Sequence, residues 1–110
     1  MFWSKWLNKL INLPGECQDK RMKHYNIRVQ GHVQGVGFRY SAQRTATLYN
    51  LTGFVRNEPD GSVYIEAEGE GLNLDRYLDW CRKGPAFGRV DRVFHTASAV
   101  RGFRRFEIRV

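Results

Sequence analysis

From His24 onward the chain alternates apolar Tyr25, Ile27 and Val29 with polar Asn26, Arg28 and Gln30. That period of two predicts a strand with one buried face. The stretch GHVQGVG (31–37) breaks the alternation as a loop. Beyond it Phe38, Ala42, Thr45, Ala46 and Tyr49 recur at helical spacing, and Asn50 begins the exit from the helix they predict. Gly53-Phe54-Val55-Arg56-Asn57 reads as a second strand. Glu58-Pro59-Asp60-Gly61 then reads as a turn, because Pro presets φ, Asp accepts a local hydrogen bond and Gly takes positive φ. The returning strand sets Val63, Ile65 and Ala67 against Tyr64, Glu66 and Glu68, and Gly69-Glu70-Gly71 closes it. Leu74, Leu78 and Cys81 mark the buried side of a second helix, whose Asp75, Arg76, Asp79 and Arg82 face solvent and which Gly84-Pro85 ends. Arg89 to Thr96, and then Phe106, Ile108 and Val110, supply further strands.

The order β-α-β-β-α-β with a short last strand predicts an α+β fold of the ferredoxin-like, split βαβ kind, an antiparallel sheet with two helices on one face. Residues 1 to 21 stand apart. Phe2, Trp3, Trp6, Leu7, Leu10 and Ile11 recur at the spacing of a short amphipathic helix, Leu13-Pro14-Gly15 would stop it, and Glu16 to Arg21 read as a polar linker. Lys5, Asn8 and Lys9 interrupt any signal-peptide core. A helix on a membrane or partner surface, a helix packed on the domain and a start assigned too far upstream all stay open. Met22 follows directly, which favours an accessory or misassigned extension before a domain of residues 22–110.

With 110 residues, 42% of them hydrophobic, the chain suits one globular domain and is too small for two independent cores. No apolar run approaches the roughly 18 residues of a membrane span. Cys17 and Cys81 lie far apart without metal-ligand spacing, which points to a reducing, cytoplasmic setting and no disulfide framework. His24, His32 and His95 are scattered, so surface or loop roles are expected for them, and neither a metal nor any other cofactor is expected. Eighteen Lys and Arg against eleven Asp and Glu give a net charge of +7. That charge leaves nucleic acid, an anionic surface and a small anionic substrate as partners.

The loop Gly31-His32-Val33-Gln34-Gly35-Val36-Gly37-Phe38-Arg39 narrows the choice. It lies where a strand hands over to a helix, whose first N–H groups lack internal partners and carry the positive end of the dipole. Glycines let such a loop curl and bring its amides close to an anion. Arg39 in the first helical turn is a cation beside a like-signed dipole, a repulsion of about 0.3–1 kcal/mol that a bound anion would relieve. Its planar fork matches two phosphoryl oxygens. The loop has neither the Gly-Lys-Ser/Thr of a triphosphate site nor the dinucleotide glycine order, so a small phosphate compound bound without metal is the expected ligand. A plain glycine-rich connection with a surface arginine is the competing reading.

GHVQGVGFR, a helix and then GFVRNEPDGSV (53–63) resemble the acylphosphatase family, and the likeness runs over roughly residues 23–110 to the terminal FEIRV. The resemblance implies hydrolysis of the carboxyl–phosphate bond of acyl phosphates, without cofactor, to a carboxylate and inorganic phosphate. It places a phosphate-binding arginine at Arg39, a water-orienting asparagine at Asn57 and a phosphate cradle over His32, Val33, Gln34, Gly35, Val36, Gly37 and Phe38, with His32 acting only through its backbone. An amide has an acceptor and a donor on one side chain and can aim a water, but it is too weak a base to deprotonate it. The resemblance implies that the substrate phosphate takes that proton. Considered alone, Asn57 reads equally as a polar residue entering a turn.

Two alternatives stand beside the enzyme. One is a non-catalytic acyl- or carbamoyl-phosphate-binding module of the kind found inside larger carbamoyl-transfer proteins. The other is nucleic-acid binding on the open sheet face, for which Arg28, Tyr64, Glu66, Glu68, Glu107 and Arg109 would make a poor stacking platform. The expected protein is therefore a monomer acting on a small anionic acyl phosphate, with no nucleic acid and no membrane span.

Overall fold

A computed structural model describes residues 21–110, and the amphipathic segment expected before Arg21 lies outside the described residues. Strand β1 (Met22–His32) leads to helix α1 (Phe38–Leu48), then β2 (Thr52–Asn57), β3 (Val63–Glu70), helix α2 (Gly71–Lys83), β4 (Arg89–Ser98) and β5 (Phe106–Arg109). The strands form one sheet in the order β4-β1-β3-β2-β5. Each element predicted from residue 22 onward is present.

Alternation decides which way the sheet faces. Ile27, Val29, Val55, Val63, Ile65 and Ala67 are fully buried under the helices, which add Phe38, Ala42 and Ala46 from α1 and Leu74, Tyr77, Leu78 and Cys81 from α2. Burial of each large aliphatic side chain contributes about 1.5–3 kcal/mol. Cys81 is the core cysteine that its spacing predicts, and burial pushes its thiol well above the ordinary value. Tyr77, outside the expected stripe, is the largest fully buried side chain among the described residues. Its hydroxyl donates to the Ala42 carbonyl at 2.9 Å and so joins the two helices.

The expectation of a purely antiparallel sheet requires correction. β1 pairs antiparallel with β3 and β4, and β2 with β3, but β5 runs parallel to β2. The cause is the route between β4 and β5, which occupy opposite edges. Residues 99–105 cross the helix-free face to the β2 edge, and the chain arrives there running in the direction of β2.

That crossing also corrects the open face. Glu66 and Glu68, expected in solvent, are buried, and so is His24, expected at the surface. His24 Nδ1 lies 2.7 Å from Glu68 Oε2, and its Nε2 lies 3.0 Å from both Glu66 Oε1 and Asn26 Oδ1. Over them the backbone N–H groups of Arg101, Gly102 and Phe103 all donate to the Glu68 carboxylate. The Phe103 ring stacks on His24 with centroids 6.0 Å apart. Alternation placed these polar side chains on the correct side of the sheet but carries no information about a later segment that covers them. His32 and His95 are exposed, as expected.

Candidate active site

The strand-to-helix loop closes on Gly37, which caps α1 at φ 79°, ψ 17° with no side chain completing the cap. Gly35 has φ 77°. A β-carbon would be strained at either backbone angle, and the space where it would project is open at both positions. The carbonyl of Gly37 accepts from Ser41 N–H at 3.1 Å and starts the helix. No acidic residue occupies the first turn to offset the dipole there.

Two contacts bring this loop against the β2–β3 hairpin. The Gln34 side-chain amide donates to the carbonyls of Glu58 at 2.7 Å and Ser62 at 2.8 Å. Within the hairpin, Ser62 donates to Asp60 Oδ1 from its N–H at 2.9 Å and its hydroxyl at 2.6 Å, and these bonds hold the Asp60 carboxyl below its usual value. Arg28 reaches the same turn by donating Nη1 to the Ser62 hydroxyl at 3.0 Å. The end of β2, where Asn57 sits, is thereby fixed relative to the loop.

A cleft of about 200 Å³ results, lined by Val33, Gly35, Gly37, Phe38, Arg39, Tyr40, Asn57 and Ile108. Arg39 and Asn57, 18 positions apart in sequence, thus share one small cavity with the two loop glycines. Arg39 is half-buried, and its Nη1 donates to the Arg109 carbonyl at 3.0 Å. That bond uses one of the five N–H donors of a guanidinium and leaves a fork for an anion.

The cradle residues divide by role. Val33 and Phe38 send buried side chains into the core, and Val36 packs at its edge. Gln34 spends its side chain on the hairpin. His32 ends β1, where it pairs with Arg89, and it does not line the cleft. Tyr40 and Ile108 line the cleft without having been picked out from the sequence. Tyr40 was masked by its place on the exposed side of a helix, and Ile108 by its place on a strand whose partner could not be read.

A larger groove of about 840 Å³ runs past α1 and α2, where Ser41, Arg44, Trp80 and Pro85 line it. Neither the glycine loop nor Asn57 lines it. Among the described residues no helix is long and apolar enough to cross a membrane.

The family model described as Acylphosphatase matches residues 25–108. An acylphosphatase of Oceanobacillus iheyensis is 54% identical over 70 residues, which cover 63% of this chain and 77% of that protein. An acylphosphatase of Methylococcus capsulatus is 46% identical over 88 residues, 79% of this chain and 96% of that protein. The solved structure of an acylphosphatase from Coxiella burnetii superposes with a TM-score of 0.79 at 32% identity, over 84% of this chain and 97% of that one.

Proposed function

The chain belongs to the acylphosphatase family, and we propose that it hydrolyses acyl phosphates with the phosphoryl group held by Arg39 and the loop amides and the attacking water aimed by Asn57. The observation that supports this assignment most strongly is the shared cleft of Gly35, Gly37, Arg39 and Asn57.

An acyl phosphate carries its own leaving group, so catalysis reduces to positioning and charge neutralisation. The loop N–H groups and the Arg39 fork take the equatorial oxygens. Asn57 accepts a hydrogen bond from a water and sets it in line with the bond to be broken. Oxygen of the water bonds to phosphorus, the phosphorus–acyl oxygen bond breaks with its electron pair on the departing carboxylate, and the proton of the water passes to the phosphate. The products are a carboxylate and dihydrogen phosphate, and no charge is left over.

The scheme calls for no residue of a second chain, and we propose action as a monomer. A buried free thiol at Cys81 fits a reducing, cytoplasmic setting. Nucleic-acid binding on the helix-free face is disfavoured, because Phe54 is buried and Tyr64 is half-buried. Arg56 and Arg28 lie 4.9 Å and 5.5 Å from the Tyr64 centroid, leaving little ring for a base to stack on. Full-length protein should release inorganic phosphate from acetyl phosphate in the presence of chelator. Phosphate binding without turnover would instead favour the non-catalytic module.

A further inference from the structure

Arg39 meets the phosphoryl group in the scheme above, so the direction of its guanidinium decides how well the anion is held. Among the described residues its one hydrogen bond runs from Nη1 to the Arg109 carbonyl at 3.0 Å. A half-buried arginine has several rotatable bonds, and that carbonyl selects one arrangement of them. The carbonyl belongs to β5, a strand of four residues at the sheet edge whose strand neighbour, among the described residues, is β2 alone. Phe106 is buried, whereas Ile108 and Arg109 are exposed. A short edge strand with so little of itself in the core is by itself a weak reference for a catalytic side chain.

A second bond supplies what β5 lacks. Gln43 follows Arg39 by four residues on α1, so the two side chains leave the same face of the helix. Its Nε2 donates to the Phe106 carbonyl at 3.0 Å, three residues before the carbonyl that Arg39 reaches. The Phe106 ring is anchored in the core, edge-on to Tyr77 with centroids 6.2 Å apart. Gln43 therefore fastens α1 to the fixed end of β5, and Arg39 takes its bearing from the other end. Gln43 does not line the cleft, so it reaches a bound anion only through this frame.

We propose that Gln43 is a positioning residue of the phosphoryl site: its amide fixes β5 against α1 and so sets the Arg109 carbonyl where Arg39 can donate to it. This rests on the acylphosphatase reading of the cleft. Without the Gln43 bond, β5 is free to shift against α1, and the guanidinium loses its fixed direction. Small displacements of a group that binds the reacting centre are costly even when their origin is remote. The loss should fall on the anion and spare the water. Asn57 stands on β2, which is paired with β3, and the hairpin beyond it is tied to the loop by Gln34. KM for substrate and the inhibition constant for phosphate should accordingly rise together, with kcat changing less.

The test measures kcat and KM for acetyl phosphate, and inhibition by inorganic phosphate, in wild type, Gln43→Met, Gln43→Ala and Gln43→Lys. Methionine keeps the length and bulk of the side chain without its donor, alanine removes both, and lysine restores an N–H donor. Measurement at high ionic strength screens the charge that lysine adds. Circular dichroism and denaturant melts verify folding and record the change in stability. In the methionine and alanine variants KM and the phosphate inhibition constant are expected to rise together, roughly three- to tenfold, with kcat falling by less. Gln43→Lys should return both constants to within about twofold of wild type. A folded methionine or alanine variant that loses stability but keeps both constants at the wild-type values would overturn the proposal, because the bond would then be structural only. A lysine variant as impaired as the methionine variant would overturn it as well. Either result leaves the acylphosphatase reading in place, whereas wild-type protein that does not hydrolyse acetyl phosphate would overturn both.

Discussion

The side-chain amide of Gln34 donates to the main-chain carbonyl of Glu58 at 2.7 Å, which ties the anion loop to the residue that follows Asn57. A second bond from the same nitrogen to the Ser62 carbonyl grips both sides of the hairpin mouth. Two segments that each contribute half of the site are thus set in register by one neutral side chain.

Gln34→Ala removes both bonds. Each carbonyl keeps a second partner, Gly61 N–H on Glu58 and Glu58 N–H on Ser62, so the loss should be about 1–2 kcal/mol of stability. Activity should fall further than stability suggests, by about tenfold in kcat/KM, because the loop and Asn57 lose their common reference. Gln34→Glu should be worse still, as a carboxylate would face two carbonyl oxygens. Denaturant melts and steady-state kinetics on the same preparations measure both effects.

The Glu68 carboxylate predicts an acid-sensitive stability. Burial pushes its pKa up, but the N–H of Arg101, the His24 ring and the N–H groups of Phe103 and Gly102 together outweigh burial and leave it below the ordinary glutamate value. Folded-state depression means that the stabilisation is complete above the unfolded-state value and is lost as pH falls through the folded one. Denaturant midpoints of wild type should therefore drop on acidification below the ordinary glutamate range. Glu68→Gln places an amide NH₂ among backbone donors, so it should cost about 1–3 kcal/mol at pH 7 and show a flatter acid limb. Parallel acid limbs for the two proteins would contradict this account of residues 99–105.

Tyr77→Phe deletes the hydroxyl that reaches the Ala42 carbonyl across the helix pair. The ring stays packed, so the loss should be about 1 kcal/mol. Because Tyr77 does not line the cleft, kcat should hold at the wild-type value, which separates a stability effect from a catalytic one.

Much of this was legible in the chain itself, for a local reason. The alternation of Tyr25, Ile27 and Val29, the stripe of Phe38, Ala42 and Ala46, and the Pro59-Asp60-Gly61 turn each depend on neighbours a few residues away, and each formed as its pattern predicts. Arg39 and Asn57 were found by motif, and the fold brings them to one cleft. Long-range features escaped. The parallel pairing of β5 depends on where residues 99–105 cross, and no periodicity in that segment records its path. His24, Glu66 and Glu68 look like surface residues until the same crossing buries them. Gln34 shows a related limit, since the motif places it in the anion loop but no local pattern records that its side chain ties that loop to the hairpin.

The measurement that bears most directly on the catalytic assignment is kcat for an acyl phosphate together with the inhibition constant for inorganic phosphate, in wild type, Arg39→Ala and Asn57→Ala, with folding verified for each. Asn57→Ala should lower kcat by about 10²–10³-fold while phosphate inhibition stays within about twofold, because the water is no longer aimed but the anion cradle is intact. Arg39→Ala should lose turnover and phosphate inhibition together. Wild-type turnover in folded Arg39→Ala, or equal loss of phosphate inhibition in both variants, would contradict the division of labour between Arg39 and Asn57.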